Sequence, residues 1–474
     1  MTKELTYKKI AQKYISLIEN GHFSGGEKMP SIRQLMGKEK ISLATANHAY
    51  EVLMDKGFIE VKPQSGYYVT YKSPEVIDEC CKYTVKKEAI KIKVSEIVYR
   101  MISASTQKNM INFGAGVVDA EFLPNKEINL SINKLIKEDR NHSSNYLFPP
   151  GHLGYRRQIL KRLEKIKIKA NIDNVIATQG CMEAILLSLK VITKPGDTIL
   201  IETPSYYGTL QALESLDLKV VEVPNHPQKG IDPNYISDTI SKHRNIKAAL
   251  LISNFSNPIG NKIPDSSKKI IAEIFQKAQI PVIEDDIYGE LSFEKTRPTT
   301  LKSYSPENVF YCSSLSKTIS PGLRAGFVVA PAKYKEDVER LQFISSVANA
   351  SLSQFIAEKI LEAKFYEAHC QNLATNLKNN ILKFQQSIQK YFPQGTKVTN
   401  PEGGFFLWIE LPEGIDSVDL YNEVIKKNII IAPGVIFSPS GDYKNYIRLA
   451  TGGKWSDKTE RAIKTIGEMA QALL

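Results

Sequence analysis

The sequence predicts an α/β fold preceded by a small helical head, and three observations carry that expectation. From about residue 108 onward, short apolar runs such as Thr198-Ile199-Leu200-Ile201, Ala248-Ala249-Leu250-Leu251-Ile252 and Val282-Ile283 alternate with helical patterns. Short β runs between longer helices imply a largely parallel sheet covered on both faces. The first seventy residues follow another rhythm: three helix-period stripes, then a hairpin pattern. The length of 474 residues suits two or three domains.

Composition narrows the function classes. Hydrophobic residues at 42% and charged residues at 24% are ordinary for a water-soluble chain. The formal charge of +11 suits a polyanionic partner and equally a lysine-rich surface. No run of eighteen apolar residues suggests a membrane helix, and Met1-Thr2-Lys3-Glu4-Leu5 lacks the apolar core of a signal peptide. Five cysteines (Cys80, Cys81, Cys181, Cys312, Cys370) contain no C-x-x-C pair, so a reducing cytoplasm is expected. Seven histidines show no metal-ligand spacing, and no metal is expected.

In the head, Tyr7, Ile10, Ala11, Tyr14, Ile15 and Ile18 form one apolar helix stripe ending before Gly21. Gly25-Gly26 break the chain again. Pro30-Ser31 starts a second helix, with Ser31 as cap and Ile32, Leu35 and Met36 inward. A third begins at Ser42, buries Ala46, Ala49, Tyr50 and Leu53, and stops at Gly57. Phe58–Lys62, a Pro63-Gln64-Ser65-Gly66 turn and Tyr67-Tyr68-Val69 read as a hairpin. Three helices and a hairpin make a winged helix-turn-helix. Residues 1–72 carry eleven Lys and Arg against seven Asp and Glu, a net charge of +4.

The motifs Gly26-Glu27-Lys28-Met29-Pro30-Ser31-Ile32-Arg33, Ser42-x-x-Thr45, Ala49-Tyr50-x-x-Leu53, Gly57-Phe58-Ile59 and Ser65-Gly66-Tyr67-Tyr68-Val69 resemble the GntR family of bacterial regulators over residues 5–70. That resemblance implies a double-stranded DNA operator as partner, met by Ser31, Arg33, the helix start at Ser42 and Thr45, and a wing at Gly66. Leu43 departs from the family, which usually carries arginine after the serine; a guanine reader is thereby lost.

Residues 73–107, opened by Ser73-Pro74, read as a charged linker. Val94, Ile97, Val98 and Met101 suggest a helix at its end. The rest, 108–474, is expected to divide into a large subdomain of about 145–345 and a small one of about 108–144 and 346–474.

Several motifs then fall at strand ends, where α/β ligand sites form. They are Thr178-Gln179-Gly180-Cys181-Met182, Glu202-Thr203-Pro204-Ser205-Tyr206-Tyr207-Gly208, Asn257-Pro258-Ile259-Gly260, Asp285-Asp286-Ile287-Tyr288, Ser314-Leu315-Ser316-Lys317 with Arg324, and Tyr446-Ile447-Arg448. In this order they resemble a fold-type I, class I/II aminotransferase that uses pyridoxal 5′-phosphate (PLP), with a large mixed α/β domain and a smaller C-terminal α/β domain. The resemblance implies Lys317 as the Schiff-base lysine and Asp285 as partner of the pyridine nitrogen, since an anion there keeps the nitrogen protonated. Asp286 competes for that role, but the D-x-x-Y spacing favours Asp285. The resemblance further places Tyr288 and Asn257 on the ring oxygen. It puts the amides of Gly180, Cys181 and Met182 with Ser314 and Arg324 on the phosphate. Cys181 is expected to contribute backbone alone. Tyr206 matches the aromatic stacked on the ring, although Tyr206 or Tyr207 could serve as core packing. Tyr146, within Asn145-Tyr146-x-x-Pro149-Pro150-Gly151, matches a segment crossing a dimer interface to the partner's phosphate, which implies a homodimer. Arg448 matches the clamp for an amino acid's carboxylate.

A winged helix ahead of such a module resembles the MocR subgroup of GntR-type transcription regulators. The resemblance implies a PLP-dependent DNA-binding regulator that senses an amino acid or amine through aldimine exchange at Lys317. The alternative is a working aminotransferase with an appended head, since no catalytic group is missing.

Overall fold

The structure is a computed structural model and describes residues 3–19, 22–23, 25–63, 65–70, 77, 88–92, 96–138 and 144–474. Gly21, Gln64, Ser73-Pro74, Cys80, Cys81 and Val94 lie outside the described residues.

The head contains α1 (Lys3–Glu19), α2 (Ile32–Glu39), α3 (Leu43–Asp55) and a hairpin of β1 (Ile59–Lys62) and β2 (Gly66–Val69). Ser31 caps α2 in a capping box, its hydroxyl accepting from the Gln34 amide and its own amide donating to the Gln34 side chain. Ser42 caps α3 by accepting from the Thr45 amide. The expected stripes meet: Tyr14, Leu35, Tyr50, Leu53 and Phe58 are fully buried in one core. Truncating Leu53 to alanine there is expected to cost about 2–5 kcal/mol. β1 and β2 pair antiparallel, Ile59 opposite Val69.

Among the described residues the central sheet has nine strands. Lys219–His226, Thr198–Thr203, Ile246–Leu251, Val282–Asp285 and Val309–Ser314 lie side by side and parallel. Gly326–Val329 runs antiparallel between Val309–Ser314 and Val175–Thr178. Alternation along the strands feeds two cores. Ile199 and Ile201 join helix Cys181–Ile192 on one face, whereas Leu200 joins helix Asp265–Lys277 on the other. The carboxyl ends of the parallel strands therefore open on one edge, just before Tyr206, Asn257, Tyr288 and Lys317.

A second sheet of four antiparallel strands joins Lys397–Val398, Phe406–Glu410, Tyr446–Ala450 and Ala432–Pro433. The long helix Tyr366–Tyr391 and helices Ser417–Ile425 and Asp457–Ala472 pack on it. Helix Glu96–Ser105 realises the end-of-linker pattern and buries Val98 and Met101 in this core. Two connector pieces escaped the sequence: Ile77 is buried in the same core, and Ile90–Lys91 adds an antiparallel edge strand beside Lys219–Val220. Helices Asn125–Glu138 and Ser351–Glu362 bury Leu135, Ile356 and Ile360 with Val175, Tyr311 and Phe327 of the central sheet.

Candidate functional site

Lys317 lies three residues beyond strand Val309–Ser314, and its Nζ donates to the Gly116 carbonyl at 2.7 Å. Burial brings its pKa down to about 8, with Arg448 and Arg324 acting in the same direction and Asp285 opposing. Asp285 ends its strand almost wholly buried, and burial lifts its pKa to about 6 against the pull of two donors. The Ile287 amide donates to it at 3.1 Å and the Cys181 thiol at 3.2 Å. Cys181 thus contributes its side chain as well as its position, contrary to the sequence expectation. The thiol's own pKa is pushed well up by burial and by Asp285, so it stays a protonated donor.

Asp286 is occupied elsewhere. Its carboxylate accepts from Arg297 Nη2 at 2.5 Å, Tyr311 at 2.7 Å and Asn254 at 3.0 Å. This buried network already engages the Asp286 carboxylate on both oxygens. Tyr288 is buried, with the Asn257 Nδ2 atom 3.5 Å from its hydroxyl; burial and Asp285 raise its pKa.

Arg448 is fully buried and heads the large buried side chains among the described residues. Its Nη1 donates to Asn257 Oδ1 at 3.3 Å and its Nη2 to the Gly114 carbonyl, while its carbon Cζ sits 4.6 Å from the Phe406 ring centroid. Its Nε is buried without a hydrogen-bond partner. Among the described residues no carboxylate pairs with it.

Gly180 precedes helix Cys181–Ile192 at φ +93°, and a side chain there would collide with the Arg324 guanidinium. Only glycine lets the helix start and the guanidinium approach this closely. Arg324 Nη2 donates to the Gln179 carbonyl at 2.7 Å, and its Nη1 lies 3.4 Å from Ser316 Oγ. Ser314 Oγ accepts from the Ser316 amide at 3.3 Å. Met182, in the first turn of that helix, is half-buried. Tyr206 stands at the start of helix Tyr207–Ser215 with its ring over Gly208 and packs, half-buried, against the small-sheet core in which Tyr207 is buried. Tyr146 stands apart: it is 72% exposed and stacks on Phe148 at 5.7 Å.

Sequence reasoning missed Gly114 and Gly116, whose carbonyls hold Arg448 and Lys317. The available signal was two closely spaced glycines just after strand Ile111–Asn112.

In the head, Ser31, Arg33 and Ser42 are exposed, and Gly66 is half-buried at φ +113°. Thr45 differs: it is buried, and its hydroxyl lies 2.9 Å from that of Ser42, engaged in the cap. The exposed face of α3 carries Leu43, Ala44, Asn47 and His48. Lys28 and Lys62 approach the Tyr68 ring of the wing at 5.8 and 4.7 Å.

Compared with protein families, residues 108–466 match the aminotransferase class I and II family. The chain belongs to that family. Residues 6–69 match the bacterial regulatory proteins of the gntR family, and the fusion of the two is the MocR-type arrangement. The uncharacterized HTH-type transcriptional regulator YdcR of Escherichia coli (strain K12) is 31% identical over 469 residues, covering 99% of each chain. The HTH-type transcriptional regulator NorG of Staphylococcus aureus (strain USA300) is 28% identical over 93% of this chain and 98% of its own. Among solved structures, kynurenine aminotransferase of Pyrococcus horikoshii superposes with a TM-score of 0.75 at 24% identity, over 81% of this chain and 96% of that one. That likeness shows the fold. The cofactor of class I and II aminotransferases is PLP, and the residues of this MocR-type chain fit it. A glycine-only cradle sits between a helix N-terminus and Arg324, and a buried carboxylate lies near the lysine amine. Among the described residues no helix is long and apolar enough to cross a membrane, and no group of His, Cys, Asp or Glu is placed to hold a metal ion.

Proposed function

We propose that this chain is a PLP-dependent, DNA-binding transcription regulator of the cytoplasm that senses an amino acid or amine at Lys317. Arg448 is the observation that carries the assignment. A guanidinium buried with an unpartnered Nε and no carboxylate is costly unless an anionic ligand completes it. In this chain it lies behind a head whose cap serines and Arg33 face solvent. We take the division into head 1–72, linker 73–107 and module 108–474 as the working organisation.

Bound in the cleft, PLP supplies an aldehyde that takes up amines covalently and a ring that withdraws electrons. The protein's own groups do the rest. Gly180, Cys181 and Met182 offer amides at a helix N-terminus, where the dipole favours a dianion, and Arg324 and Ser314 add a fork and a hydroxyl. Asp285, ionised above about 6 and held by the Cys181 thiol, would pair with the ring nitrogen. Asn257 and Tyr288 would hold the ring oxygen, and Tyr206 would cover the ring. With a pKa near 8, Lys317 has a substantial neutral fraction at physiological pH, so its amine would be a competent nucleophile toward the aldehyde that PLP supplies. Arg448 would take the ligand's carboxylate.

The partner subunit's copy of Tyr146 is assigned to the phosphate in a homodimer. Support comes from an exposed aromatic patch, Tyr146 on Phe148 at 5.7 Å and Phe148 against Phe343 at 6.1 Å. On the head, Ser31, Arg33, Ser42 and the Gly66 wing are assigned to an operator. Thr45 orders the helix start.

Transamination is the second reading, and the lowered pKa of Lys317 favours it, because such an amine also moves protons well. An absorbance titration of PLP-loaded protein with amino acids and amines separates the two. A spectral shift without release of a keto acid supports the sensor; stoichiometric keto-acid release supports the transaminase.

A further inference from the structure

The long helix Tyr366–Tyr391 touches both the ligand site and the head. Near its start, the Tyr366 hydroxyl lies 3.0 Å from Thr318 Oγ1 and the His369 ring 2.7 Å from the Thr318 carbonyl, at the residue following Lys317. Further along, Leu373 and Leu377 share a core with Tyr288 and Phe406. Asn380 donates to the carbonyls of Thr451 and Gly453 at 3.0 and 2.6 Å, just past the strand that bears Arg448. Beyond that, Leu382 packs on the core of the head, and Gln386 Nε2 donates to the carbonyls of Lys56 and Gly57 at 3.4 and 3.3 Å.

Gly57 makes this contact possible. It stands at φ +70° after α3, and a Cβ there would come within 2.9 Å of Gln386 Oε1. Beside this contact the described residues leave an open cleft. A cleft of about 500 Å³ lies between Gln12 and Phe58 of the head and Phe293 and Lys378 of the module. Among the described residues, Gln386 and Leu382 thus meet the head near the end of a helix that spans about 39 Å at 1.5 Å per residue.

We propose that the long helix carries the state of the ligand site to the head, with Gln386 as the positioning residue that sets the docked geometry of α3. This rests on the regulator assignment above. A ligand that draws Arg448 and the small sheet toward Lys317 shifts the helix tied to both, and Gln386 moves the carbonyls at the end of α3 with it. Because α3 is the helix offered to DNA, a small displacement at Gly57 changes how two heads meet one operator.

The test uses the full-length, PLP-loaded protein and aminooxyacetate, an amine analogue bearing a carboxylate. Gln386→Glu keeps the shape of a half-buried side chain but sets a carboxylate against two carbonyls. Gln386→Lys keeps a donor. In the wild type, aminooxyacetate is expected to change amide exchange over residues 53–58 by about fivefold or more, the lower end of ordinary site-to-site couplings. In Gln386→Glu the change is expected to fall within about twofold of none, with Gln386→Lys retaining most of it. An equal change in wild type and Gln386→Glu overturns the proposal, as does no change in the wild type. The regulator assignment fails separately. It does so if the wild type's affinity for a duplex selected with it from a random pool is unaltered by aminooxyacetate while the exchange response persists.

Discussion

The thiol of Cys181 donates to the carboxylate of Asp285 at 3.2 Å, so the first residue of the cradle helix also orients the acid at the floor of the site. Cys181→Ala removes a donor that favours the ionised acid. PLP affinity is expected to fall about two- to tenfold, the value of one hydrogen bond of about 0.5–1.5 kcal/mol. Cys181→Ser, which keeps a donor, is expected to stay near wild type; equilibrium dialysis measures both.

Lys317→Ala is expected to abolish the visible absorbance of lysine-bound PLP and leave binding to a selected DNA duplex unaltered without ligand. Spectra and fluorescence anisotropy on one preparation check the two halves.

The pH dependence has a definite sign. Burial lowers the Lys317 pKa to about 8, so below that pH the amine is mostly protonated and not nucleophilic. Capture of PLP by the apoprotein is expected to speed up about tenfold per pH unit below about 8 and to level off above it. Stability of the apoprotein runs the same way. Between about 8 and the ordinary lysine value the unfolded chain binds the extra proton, so this group adds stability as pH rises through that window. Stopped-flow absorbance and denaturant titrations across pH 6.5–10 (roughly the span of the two pKa values) read each effect.

Arg448→Ala is expected to weaken binding of carboxylate-bearing amines about ten- to hundredfold, from the loss of charge-assisted hydrogen bonds, while PLP remains bound. Arg448→Lys is expected to restore little, because an ammonium lacks the bidentate fork. Amines without a carboxylate are expected to lose far less, which the same absorbance titration shows.

Arg33→Ala is expected to weaken DNA binding across sequences and to lower the salt slope by about one, as for a phosphate contact. Asn47 is exposed one turn along α3 from Leu43; if α3 enters the major groove, Asn47→Ala is expected to relax specificity at one position. Binding titrations over a salt series and a mismatch panel separate these roles.

Much of this architecture was legible in the sequence because local patterns carried it. Helix-period stripes predicted Tyr14, Tyr50 and Leu53 as head core, and strand-end motifs brought Lys317, Asp285, Tyr288, Asn257 and Arg448 together. What stayed hidden depends on partners distant in the chain or on backbone atoms. The carbonyls of Gly114 and Gly116 have no side-chain signature. Asp286 is set apart from Asp285 by Arg297, eleven residues later in a loop, and by Tyr311 on the next strand. Thr45 matched a family motif, but its position under the Ser42 cap turns it inward. Ile90–Lys91 is a two-residue strand, too short for any periodicity to show.

The most direct test of the central claim measures affinity for a selected operator duplex with and without the amine that shifts the spectrum, in wild type and Lys317→Ala. Uptake of the amine at Lys317 is expected to change wild-type affinity about fivefold or more and to leave the variant unmoved. An unchanged wild-type affinity, accompanied by steady release of keto acid, would contradict the regulator account and establish the chain as an aminotransferase.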